Sequence, residues 1–189
     1  PTTFGEHNLL VKRLNLEDLV EKIDWTPFFH FWGFKGKYPE IIYTNDEADR
    51  TYQAALDMLG KVIAGNEFDA SIIVRFFDAY SENEDIVLDG QHRFTMPRQQ
   101  TDLEECLSLA DFVIPKEKGI GSVGLFCLKV KDDHQCNDCH DFEHLLRESL
   151  CARLAEACAE WMQEKINEGT HVIRPAFGYA TCPDHAMKK

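Results

Sequence analysis

Phe142, Leu145, Leu146, Leu150, Leu154, Ala157, Cys158, Trp161, Met162 and Ile166 recur at intervals of three and four. Side chains at that spacing share one face of an α-helix. Asp141 to Glu168 is therefore predicted as one long amphipathic helix, closed by Gly169. It is the strongest element in the chain, and the rest of the fold must supply the surface its stripe covers.

The segments upstream read as short helices and then strands. Asn15 is placed to cap a helix through Glu17, Asp18 and Ile23. Thr26 as N-cap and Pro27 at the first helical position predict a helix through Phe31 and Trp32 that stops at Gly33. Asp24 is then left just outside its N-terminus, among aromatic neighbours. Gly36-Lys37-Tyr38-Pro39 reads as a turn. Asn45 or Asp46 begins a further helix, with Ala48, Tyr52, Ala55, Leu56, Leu59 and Ile63 as its apolar face and Gly65 at its end. Ala70 to Tyr80, rich in Ile, Val and Phe, is a strand; Ser81 to Glu84 turns, and Ile86 to Leu88 returns as a hairpin. Arg93 to Met96 and Ser122 to Val130 are further strands, and Leu109 to Ile114 is an apolar run ended by Pro115. Strands with helices before and after them predict an α+β fold in one domain over residues 1 to 189.

Composition narrows the function. Thirty-three acidic against twenty basic residues give a formal charge of −13, which repels nucleic acid and anionic membrane surfaces. No apolar run approaches the ~20 residues that span a bilayer. Seven cysteines are an odd count; Cys151 and Cys158 fall on the long helix as small core residues. That is no disulfide framework, so a cytoplasmic setting is expected. No secretory signal is visible, but the chain begins at Pro1 without methionine, which leaves targeting open.

Two motifs invite a cofactor reading. Gly119-Ile120-Gly121-Ser122-Val123-Gly124 spells the dinucleotide fingerprint. That motif needs a helix behind it to meet phosphate, whereas Leu125-Phe126-Cys127-Leu128 is a strand pattern. The glycines read instead as a loop and a closely packed strand. His134, Cys136, Cys139 and His140 can close on zinc, and Cys136 to His140 also spells the haem-attachment pattern. A polar loop ahead of the long helix is the preferred reading, so no metal site is assigned. Glu104-Glu105 and Glu82-Glu84-Asp85 read as solvated faces. Glu156 lies off the apolar stripe and reads as an exposed acid. No acid–base constellation emerges, and no catalytic residue is assigned.

Beyond the long helix, Arg174-Pro175-Ala176-Phe177-Gly178-Tyr179 has neither helical nor strand period. Pro175 fixes its own φ and extends Arg174; Gly178 permits close backbone approach. A guanidinium and a phenol on such a loop can grip a small anionic or zwitterionic ligand. The alternative is a C-terminal tail packed on the core.

Asp24-Trp25-Thr26-Pro27-Phe28-Phe29, Gly36-Lys37-Tyr38-Pro39, Arg98-Gln99-Gln100, Leu109-Ala110-Asp111-Phe112-Val113, Arg153-Leu154-Ala155-Glu156 and Arg174 through His185 follow one another in this order. Together they resemble the activation domain of cobalamin-dependent methionine synthase. The resemblance implies a C-shaped α+β domain with a twisted antiparallel sheet flanked by helices. It implies a groove for S-adenosylmethionine contacted by Asp24, Glu156, Arg174, Ala176, Gly178 and Tyr179, with Glu168 as a further acid near the ligand. It implies that the bound methyl is presented to cobalamin on a partner domain or subunit, with a flavodoxin-like electron donor, to reactivate the parent methyltransferase. Longer members continue beyond the position of Lys189 with further strands and a helix, so the C-terminal part of the family domain is expected to be missing. A separate subunit and a piece of a larger enzyme both stay open. The rival reading is a non-catalytic ligand-sensing or zinc-stabilised interaction module.

Overall fold

The computed structural model describes residues 9–100, 106–133, 141–167 and 172–175. Five helices and five strands run in the order β1 (Leu9–Leu14), α1 (Glu17–Val20), α2 (Thr26–Phe31), α3 (Glu40–Thr44), α4 (Asp46–Gly65), β2 (Phe68–Glu82), β3 (Asp85–Leu88), β4 (His92–Thr95), β5 (Gly121–Asp132) and α5 (Phe142–Asn167). This is the α+β arrangement expected. The strands join in one sheet: β2 pairs with β1, β3 and β5, and β3 pairs with β4. The β2–β3 and β3–β4 pairs are antiparallel, in registers such as Ser81 opposite Ile86 and Ile86 opposite Phe94.

The contacts gather into two compact units. The first holds Val11–Ile73 and Cys127–Thr170, with all five helices. Its core joins Leu19, Phe28, Phe29, Val62 and Phe68 to Leu150, Leu154 and Cys158 of α5. α4 begins as the sequence predicts: the Asn45 side chain accepts from the N–H groups of Glu47 and Ala48, both at 3.0 Å. Its buried face is rotated from the expected one. Met58 and Val62 are buried, while Leu56 is exposed, because packing against neighbours decides which edge of an apolar stripe is covered. Phe142 and Leu145 of α5 are likewise exposed.

Arg147 lies inside this unit and is 4% exposed. It donates to both carboxylate oxygens of Asp132 at 2.7 and 2.6 Å and to Glu67 at 2.7 Å. Its guanidinium also stands over the Phe68 ring. The hydrogen bonds to Asp132, first, and then to Glu67 favour its charged form further.

The second unit includes Val74–Phe126. Ala79, Ile86, Leu88, Met96, Leu109 and Ala110 form its core, with Phe77, Val113 and Val123 packed against them. The stretch from Leu109 to Phe112 is a single 3-10 turn. The glycine run enters β5 without a helix, so the cofactor fingerprint is excluded on its context. A Cβ on Gly124 would stand 2.9 Å from the Phe76 ring, and one on Gly121 would stand 3.0 Å from Ile114. Close packing therefore accounts for two of these glycines.

Two expectations need correction here. Glu82 and Asp85 are not simply solvated. Arg93 bridges them at 2.5 and 2.7 Å, and Lys116 reaches Glu82 at 2.7 Å. Cross-strand neighbours supply those cations, and a reading along the chain does not see them. Thr26 is also not the cap of α2 but its first residue. Asp24 takes the capping role.

Candidate functional site

Asp24 lies on the exposed link between α1 and α2. Its Oδ1 accepts from the Thr26 N–H at 3.0 Å. Among the described residues Asp24 makes no other hydrogen bond or ion pair, and it is exposed. The link is flanked by packed aromatics. Trp25 is buried and meets Phe28 and Tyr52 edge-on, with centroids at 5.4 and 4.9 Å. The Thr26 hydroxyl accepts from the Tyr38 N–H at 3.3 Å, and the Tyr38 hydroxyl meets that of Tyr52 at 3.2 Å. Burial, before the neighbouring Tyr38, raises the Tyr52 phenol above its usual range.

Glu156 is exposed on α5. Trp32, just past α2, donates from its indole to Ser149 at 3.4 Å, and Lys22, just past α1, pairs with Glu164. The chain carrying Asp24 thus runs beside α5 between those two anchors. Glu156 is seven residues from Ser149, two helical turns along the same face. Asp24 and Glu156 both belong to the first unit.

Arg174 is half-buried and falls in the second unit. Ala176, Gly178, Tyr179 and Glu168 lie outside the described residues, as do His134, Cys136, Cys139 and His140. Among the described residues no group of three or more His, Cys, Asp or Glu side chains gathers as a metal site would. No helix among them is long and apolar enough to cross a membrane.

Two of the recurring sequence blocks prove to be scaffold. Arg98 forks onto both oxygens of Asp111 at 2.7 and 2.8 Å and donates to the Cys106 carbonyl at 2.6 Å. Asp111 in turn accepts from the Ser108 N–H at 2.8 Å, while Ser108 donates to the Met96 carbonyl at 2.8 Å. Arg98 therefore locks the 3-10 turn to the end of β4. A cleft of about 640 Å³ in the second unit is lined by Ser81, Glu82, Asp111 and Lys116 among others. It contains none of the candidate residues; Glu82 is paired with Lys116 and Arg93, and Asp111 with Arg98.

The profile of the vitamin B12-dependent methionine synthase activation domain matches residues 15–172. The chain belongs to that family. The activation-domain fold is matched as well by a crystal structure of the MetH reactivation domain bound to AdoHcy, with a TM-score of 0.77 and 29% identity. The match covers 95% of this chain and 67% of that one. The sequence blocks of the first unit that carry the resemblance, from Asp24 to Glu156, fall inside the activation-domain span. Arg174, Ala176, Gly178 and Tyr179 lie just beyond its end at residue 172. Sequence reading found Asp24 but missed how it is held. The Thr26–Tyr38 contact joins residues twelve apart, and only the position of threonine two after aspartate hinted at it.

Proposed function

We propose that this activation domain binds S-adenosylmethionine and presents its methyl group for reductive methylation of cobalamin on a partner domain or subunit. The observation that carries the reading is the match, over nearly the whole chain, to a reactivation domain bound to AdoHcy, the demethylated form of that ligand. Asp24 fits the ligand's ammonium: an exposed carboxylate with one oxygen anchored and the other open makes a charge-assisted hydrogen bond at little ordering cost. Glu156, exposed in the same unit, adds negative charge to the proposed site. Arg174 donates to ligand oxygens, Ala176 acts through its backbone, Gly178 allows close approach, and Tyr179 offers a ring face or hydroxyl. We take residues 1–189 as one activation-domain-like unit of function, of which 15–172 match the family.

When both are bound, the sulfonium supplies an activated methyl and cobalamin supplies the nucleophile. The balance is one electron from a flavodoxin-like donor and one methyl cation equivalent, with S-adenosylhomocysteine leaving. Such a transfer needs positioning and exclusion of water rather than a protein base. That suits the absence of an acid–base constellation in the sequence.

Titration calorimetry with S-adenosylmethionine tests the reading. Binding is expected, and Arg174→Ala should weaken it by roughly 1.5–3 kcal/mol through loss of a charged hydrogen bond. Full affinity in that variant removes Arg174 from the site, and no binding by the unaltered chain overturns the function.

A further inference from the structure

We infer that Thr26 is a positioning residue for the ligand-binding carboxylate, an inference that rests on the role proposed above for Asp24. Asp24 is exposed and stands outside a six-residue helix, and among the described residues its carboxylate makes one hydrogen bond, from the Thr26 N–H at 3.0 Å. That N–H is itself placed from behind. The Thr26 hydroxyl accepts from the Tyr38 N–H, which ties the start of α2 to the Gly36–Pro39 turn. Tyr38 is held in turn at two points: its ring stacks on buried Phe29, 12° from parallel, and its hydroxyl meets the Tyr52 hydroxyl on α4. Phe28 and Phe29, the next turn of α2, are fully buried. Beside the buried flanks Ile23 and Trp25, two hydrogen bonds link the Asp24 carboxylate to the turn, and Thr26 makes both of them. Its backbone donates to the carboxylate and its side chain accepts from the turn.

This arrangement leaves one carboxylate oxygen committed and the other without a hydrogen bond among the described residues. A ligand ammonium then meets an acceptor that is already oriented, so less freedom is lost on binding. Removing the Thr26 hydroxyl frees the start of α2 from the turn and leaves the carboxylate less well aimed, without touching any charge.

The test is a double-mutant cycle read by calorimetric affinity for S-adenosylhomocysteine, with the thermal midpoint of each variant recorded beside it. Thr26→Val should weaken binding roughly fivefold, the scale of one neutral hydrogen bond. Thr26→Ser, which keeps the oxygen, should stay within about twofold of the unaltered chain. In an Asp24→Ala background Thr26→Val should cost nothing further, because the group it positions is gone. Equal losses in both backgrounds would mark a purely structural role and overturn the inference, as would full affinity in Thr26→Val. If Asp24→Ala itself binds normally, the role of Asp24 and this inference fall together. If Asp24→Ala binds weakly and Thr26→Val does not, the inference alone fails.

Discussion

Arg147→Met is the most demanding test of how the first unit is held. Methionine keeps an unbranched chain of similar reach against the Phe68 ring but removes the cation. Asp132 and Glu67 then lose 2.6–2.7 Å partners. Breaking a buried ion pair by removing one member costs about 3–5 kcal/mol. Here the arginine side chain is 5% exposed but Asp132 is 24% and Glu67 38% exposed, so both acids regain some water and the Glu67 share is discounted. The expected loss is about 2–4 kcal/mol. Urea unfolding followed by tryptophan fluorescence measures it selectively, since Trp25, Trp32 and Trp161 all belong to the first unit. Adding Asp132→Asn and Glu67→Gln to Arg147→Met should restore part of the loss, because the stranded charges are then gone. A single variant within about 0.5 kcal/mol of the parent, the range of an ordinary surface substitution, would refute the argument that these acids depend on Arg147.

Asn45→Ala removes the acceptor for two helix-start N–H groups and should cost about 1 kcal/mol in the same urea assay; Asn45→Asp should cost less. Gly124→Ala puts a methyl 2.9 Å from the edge of the Phe76 ring. It should lower stability by about 1–3 kcal/mol, and a co-substitution Phe76→Leu should recover part of the lost thermal midpoint. Acid should loosen the second unit. Hydrogen bonds hold three carboxyls below their usual range: Asp111 chiefly by Arg98, Glu82 chiefly by Lys116 and then Arg93, and Asp85 by Thr95 and then Arg93. Groups with depressed folded values contribute fully above their unfolded values, near 3.8 for the aspartates. They lose that contribution as pH falls through the folded values. Hydrogen-exchange protection of β3, corrected for intrinsic rate, should therefore drop below about pH 4 and less steeply in Asp111→Asn; flat protection from pH 6 to 3 would contradict it. Burial pushes the Cys158 thiol up to about 11 and Cys151 up to about 12. Alkylation at pH 8 mapped by mass spectrometry should therefore spare both in the folded chain and reach exposed Cys127 before either.

Wherever an element carried its own start signal and period, it was legible in the sequence. α4 has Asn45 ahead of a repeating apolar face, and α5 has a stripe running over most of its length. The β2–β3 hairpin is marked by a β-branched run, a polar turn and a second short run. α3 and β1 were missed for the same reason: five or six residues carry too little periodicity to register. α3 forms where the chain leaves the Tyr38–Pro39 turn, and β1 forms because β2 offers it an edge. The candidate site divides in the same way. Asp24 entered the candidate site through the family resemblance, while its local pattern showed only a carboxylate just ahead of a helix. The hold on it was invisible, since Thr26 meets Tyr38 only once α2 and the turn are packed together.

The order of apolar and polar residues determined which segments became helix or strand, and the blocks from Asp24 to Tyr179 determined the family. Both are properties of short stretches, and a linear chain states them directly. Tertiary structure alone decided which charges are paired: Arg147 with Asp132 and Glu67, Arg93 with Glu82 and Asp85, and Arg98 with Asp111. It alone made Arg98 and Asp111 scaffold and left Asp24 exposed with one oxygen open. Coulomb attraction and desolvation depend on distance and burial, and those exist only after segments far apart in the chain have been brought together.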